Sequence, residues 1–146
     1  MKYLKSFERI TGLDQINYGE VSNIIEDYRT EFKDLDLDVS GVTITTYSIT
    51  DDKLINCVYF NIETTLDHGT DIILQCYDIL VQLRTYLHNE CGLDISIEVH
   101  SEIPLLDIDT AVEIYGPEDY TSIGVYIHPP FDRSEIELDE DESDED

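Results

Sequence analysis

Positive charge is the scarcest feature of this sequence. Eight Lys and Arg stand against 34 Asp and Glu, for a formal net charge of −26. Nucleic-acid binding draws on clustered Lys and Arg that displace counterions, so direct contact with DNA or RNA is not expected. So few cations also leave little with which to hold a phosphorylated substrate. Tryptophan is absent, and the three cysteines, Cys57, Cys76 and Cys91, are odd in number and widely spaced among apolar residues. They predict reduced, buried thiols of a cytosolic protein and argue against a disulfide framework. No apolar run approaches the roughly 18 residues that cross a bilayer, and Lys2 and Lys5 lack a following apolar segment of the signal-peptide kind. Cytoplasmic location is therefore expected.

Chemistry-bearing motifs are equally sparse. A Gly-rich phosphate cradle, a nucleophile elbow and an HExxH pair are all missing. His88 and Cys91 form the one short metal-type pair, whereas a zinc site normally needs two such pairs. Asp34, Asp36 and Asp38 resemble the start of a calcium loop, but Val39 stands where the turn glycine belongs and Thr45 where a bidentate Glu belongs. Asp107 and Asp109 echo an Asp-x-Asp loop, yet Pro104 interrupts the strand that would lead into it. No catalytic residue, metal or cofactor is expected, and the chain does not read as an enzyme.

What is abundant is acid, and it is not confined to a tail. Residues 131–146 hold ten acids and Arg133, which leaves residues 1–130 with 24 acids and seven bases, a net −17. Residues 1–130 are expected to form one domain, and 131–146 a disordered acidic tail with too little apolar content to fold.

Hydrophobic periodicity outlines that domain. Leu4, Phe7 and Ile10 suggest a short helix ended by Gly12. Val21, Ile24, Ile25, Tyr28, Phe32 and Leu35 form a helical stripe over 18–35. Gly41 punctuates the chain, the β-branched run over 42–49 predicts a strand, Asp51 and Asp52 a turn, and 54–62 its antiparallel partner, with Leu54, Asn56, Val58, Phe60 and Ile62 on one face. A long helix follows from about Thr70 to Gly92, with Ile73, Cys76, Tyr77, Leu80, Leu83 and Leu87 on one side. Residues 94–100 alternate as a strand, and 110–115 and 121–128 are expected as a second hairpin, with 110–115 short enough to be a helix or a loop instead. The expectation is an α+β fold, an antiparallel or mixed sheet of about five strands with two or three helices packed mainly on one face.

The acids carry the functional expectation. A 130-residue globule is about 36 Å across, a length over which duplex DNA carries about 21 phosphates, comparable with the net charge of −17 on residues 1–130. Asp27, Glu31 and Asp34 line one helical face. Asp34, Asp36 and Asp38, if extended, would recur about every 6.6–6.8 Å on one side. The opening MKYLKSFERI resembles the start of many small proteins of tailed bacteriophages. That resemblance implies a phage origin and, in charge alone, a likeness to phage inhibitors that imitate DNA or RNA.

The expected function is occupation of a basic site on a nucleic-acid-binding protein, most specifically a host restriction or CRISPR nuclease. The alternative is a virion-structural or adaptor protein with an apolar interface. Expected contact residues are Glu20, Glu26, Asp27, Glu31, Asp34, Asp36 and Asp38, followed by Asp51, Asp52, Glu118 and Asp119 at hairpin turns.

Overall fold

Period-two alternation along the strands decides which side of the sheet is dry. The computed structural model describes residues 17–50, 53–100 and 103–131. In chain order these form α1 (Tyr18–Lys33), β1 (Leu37–Thr50), β2 (Lys53–Thr64), α2 (Ile72–Gln75), α3 (Tyr77–Cys91), β3 (Asp94–Glu98), α4 (Ile108–Tyr115) and β4 (Ser122–His128). The four strands make one sheet in the order β1-β2-β4-β3, every pair antiparallel. The register sets Val58 beside Ile127, Phe60 beside Val125 and Ile62 beside Ile123, and then Ile127 beside Ile95 and Val125 beside Ile97. All of these are buried. They share one core with Val21, Ile25 and Phe32 of α1, Leu80, Leu83 and Leu87 of α3, and Ile108 and Ala111 of α4. The helices thus cover a single face.

Local chemistry places the helix ends. Asn17 caps α1, its side-chain oxygen accepting from the Glu20 N–H at 3.0 Å. At the other end of that helix, Asp36 adopts the left-handed region, with φ 63°. Gly92 closes α3 at φ 69°, with its N–H on the His88 carbonyl and the Leu93 N–H on the Leu87 carbonyl. Tyr18 Oη donates to the Val42 carbonyl and Arg29 to the Val39 carbonyl, so α1 is tied along β1 at two points.

Gly41 lies inside β1, at φ 70°, instead of punctuating the chain before it. Here Ser40 faces Asn61 while Thr43 faces Tyr59, so Gly41 and Val42 together oppose Phe60. The bulge reverses the parity of the strand. Leu37 and Val39 point into the core before it, whereas Thr43, Thr45 and Tyr47 share the opposite face with Tyr59 after it.

Three expectations about the elements are corrected. Residues 110–115 belong to a helix, because Ile108, Ala111, Val112 and Tyr115 repeat at helical spacing and pack as one stripe. There is accordingly no second hairpin, and the described sheet has four strands, not five. Leu106 instead makes a single bridge to Ile97 at the outer edge of β3. The long helix breaks at Cys76 into the one-turn α2 and the longer α3, which brings the described helices to four. The proposed helix around Leu4–Ile10 and the acidic tail from residue 132 lie outside the described residues. Among the described residues, no helix is long and apolar enough to cross a membrane.

Two measurements probe this core. Phe60→Ala should lower unfolding stability by about 3–5 kcal/mol and Gly92→Ala by about 1–2 kcal/mol, read from denaturant midpoints. Burial pushes the Cys57 and Cys76 thiols up to about 12, and raises the half-buried Cys91 as well. Alkylation of the native protein at about pH 8 should therefore label Cys91 first and the other two only on unfolding, as read by mass spectrometry.

Candidate functional site

Carboxylates gather at one end of the sheet, where three loops meet. The Asp36 carbonyl accepts from both the N–H and the hydroxyl of Thr65, at 2.9 and 3.1 Å. The Thr64 N–H donates to the Thr121 carbonyl at 3.0 Å, and Thr70 and Tyr120 exchange two backbone bonds of 3.0 and 2.8 Å. These bonds join the segment after α1, the loop after β2 and the turn before β4. With the segments come Asp34, Asp36, Asp38, Glu63, Asp67, Asp71, Glu118 and Asp119. Glu118 accepts from the Tyr120 hydroxyl at 3.0 Å, and Asp71 from the Gln75 amide at 2.8 Å. Asp38 lies directly across the ladder from Glu63, a like-charge pairing that costs stability in an antiparallel sheet. Among the described residues, Arg29 of α1 brings positive charge near Asp38.

A second acidic feature runs up α1. Glu20, Asp27, Glu31 and Asp34 are all exposed and recur on one side of the helix, spanning about 21 Å at 1.5 Å per residue. Glu26 falls on the other flank with Arg29 and Lys33. Its carboxylate takes two bonds from Arg29, at 2.7 and 3.1 Å, and those bonds hold it below the ordinary carboxylate range. Of the acids expected on α1, Glu26 is thus neutralised within the chain.

The structure also corrects the expected ladder of acids. Asp34 is the C-cap of α1, Asp36 is left-handed and Asp38 alone lies in a strand, so the three do not share an extended face. They converge on one end through a turn instead. Glu118 and Asp119 sit between α4 and β4, not at a hairpin, and join the same end. Asp51 and Asp52 lie outside the described residues. Glu63, Asp67 and Asp71 were missed by the sequence reading, since each looks like an ordinary loop or strand-end acid until the loops are paired in space.

Other chemistry-bearing residues resolve into structural roles. The Ser96 hydroxyl lies 2.7 Å from His128 Nε2, and His128 Nδ1 lies 2.7 Å from the Pro129 carbonyl. The carbonyl calls for hydrogen on Nδ1, which leaves Nε2 to accept from Ser96. Ser96 and His128 are fully buried, so this contact satisfies two polar groups inside the fold. Asp109 accepts from the Tyr77 hydroxyl at 2.9 Å and lies 3.7 Å from Arg84, which ties the start of α4 to α3. Among the described residues, no three His, Cys, Asp or Glu side chains are grouped to hold a metal ion.

No family model, no curated protein and no solved structure matches the chain.

If the acidic end is crowded with like charge, neutralising it should stabilise the fold. Asp34→Asn, Asp36→Asn and Glu63→Gln together should raise stability by about 1 kcal/mol at low ionic strength. Asp34 also faces the negative end of the α1 dipole, which adds to the gain. Thermal melts repeated in high salt should show the gain shrinking as the charges are screened.

Proposed function

We propose that this chain is a binding protein that presents its acidic end to a basic site on a protein partner. In its most specific form it is a phage-encoded inhibitor that occupies the nucleic-acid groove of a host defence nuclease of restriction or CRISPR type. The observation that carries the reading is the convergence of three loops, which sets Asp34, Asp36, Asp38, Glu63, Asp67, Glu118 and Asp119 at one end despite their separation in sequence. Folding works against that arrangement, because like charges repel and the Asp38–Glu63 pairing costs stability. A surface maintained against its own repulsion is one whose charge is useful to something else. A cationic cleft would relieve the repulsion on binding, and it would be drawn to this surface at long range.

The α1 stripe extends the same surface lengthwise. Direct nucleic-acid binding has no support in the charge of the chain, and imitation of nucleic acid needs none. The rival adaptor reading rests on a different observation, the exposure of Leu74 on α2 and Ile114 on α4, at 44% and 53%.

Salt and competition separate the two. A quadruple charge reversal, Asp34→Lys, Asp36→Lys, Glu118→Lys and Asp119→Lys, should weaken capture of a basic host nuclease by about 100-fold or more. Capture by the wild-type chain should fall steeply with salt and be displaced by excess duplex DNA or RNA. Capture that survives salt and charge reversal but is lost in Leu74→Asp/Ile114→Asp would replace this reading with the adaptor.

A further inference from the structure

The sheet face turned away from the helices carries a cleft that the acidic-end reading does not use. Across β2, β4 and β3, the register sets Tyr59 beside Tyr126 and Asn61 beside Gly124, with Gly124 in turn beside Glu98. Tyr126 packs edge-on against Tyr59 and Tyr47, with ring centroids 4.9 and 5.9 Å apart. Gly124 is what leaves room for this. A methyl group there would fall 2.9 Å from Tyr59 Cε1 and 3.1 Å from Glu98 Oε1. The result is a cleft of about 160 Å³ lined by Tyr59, Asn61, Glu98 and Gly124, with His100 at its wall.

That size decides the kind of occupant. Sites for whole small molecules run to roughly 300–1,000 Å³, so this cleft suits the head of one side chain. Its lining decides the charge. Glu98 accepts from the Tyr126 hydroxyl at 3.4 Å, and a carboxylate can accept several more bonds. Burial first, and Glu98 second, raise both the Tyr59 and Tyr126 phenols above their ordinary range, so the rings stay neutral and keep their electron-rich faces. An aromatic face beside a carboxylate is the surrounding that a planar cation prefers. Asn61 donates to Glu63 at 3.0 Å, which links the cleft to the acidic end of the sheet.

We infer that the Tyr59–Glu98–Gly124 cleft binds the guanidinium of an arginine side chain presented by a basic protein partner. The guanidinium would stack on Tyr59 and fork onto Glu98, whereas a lysine ammonium can do the second but stacks less well.

The test needs no partner, so it stands or falls apart from the acidic-end reading. Isotope-labelled protein is titrated with N-acetyl-arginine methylamide, and with the lysine and glutamine analogues, while amide shifts are followed by NMR. The arginine derivative should give saturable shifts at Tyr59, Glu98 and Gly124, the lysine derivative weaker ones and the glutamine derivative none. Glu98→Gln, which keeps the shape, should weaken arginine binding by about tenfold or more, and Gly124→Ala should do so by displacing Tyr59 and Glu98. Unsaturable shifts, shifts spread equally over α1 and residues 63–71, or unchanged binding in Glu98→Gln would overturn the assignment. Should Gly124→Ala not fold, the Glu98→Gln result decides.

Discussion

Burial of the apolar sheet face beneath the helices is the constraint from which the rest of the structure follows. Val58, Phe60 and Ile62 of β2 face Ile127, Val125 and Ile123 of β4, and the helices must lie on that side to keep these residues dry. Each fully buried side chain of this size contributes about 1.5–3 kcal/mol relative to exposure, which outweighs any single surface charge effect in the chain. Once that face is chosen, the intervening residues have no choice. Tyr59, Asn61 and Glu63 must point the other way, and so must Tyr126, Gly124 and Ser122.

The same constraint organises the charge. Helices on one face and antiparallel strands in the order β1-β2-β4-β3 bring the segment after α1, the loop after β2 and the turn before β4 to a common end. Acids that the core cannot accept are pushed into those loops, since desolvating an unpaired carboxylate costs far more than exposing it. Repulsion among them is tolerable because it acts through water, where two charges 4 Å apart interact by only about 1 kcal/mol. The fold can therefore carry a dense anionic end at a cost it can bear, and a partner that excludes water would feel the charge far more strongly.

Much of the architecture was legible beforehand. The inward sets of β2 and β3, the stripe on α1 and the Gly92 stop on α3 all follow from periods of two and 3.6. Residues 110–115 misled because six residues of Thr, Ala, Val, Glu, Ile and Tyr suit either period, and only the burial of Ile108 and Ala111 against neighbouring elements chooses the helix. Gly41 misled in another way. A glycine between a helix and a β-branched run reads as a stop, but here its positive φ serves a bulge within one strand. That bulge sends Tyr47 towards Tyr126, a consequence invisible without a partner strand.

The candidate surfaces divide along the same line. Composition alone determined that the chain is strongly anionic, and helical spacing alone placed Asp27, Glu31 and Asp34 together, because both depend only on residue identity and on local geometry. Glu26 and Arg29 pair within one helix at i,i+3, whereas the meeting of the segments that carry Asp36, Asp67 and Glu118 and the cleft between Tyr59 and Glu98 were settled by tertiary structure. Each depends on which strands and loops become neighbours, and those contacts join residues too far apart in the chain, or too dependent on side-chain geometry, for any local pattern to reveal.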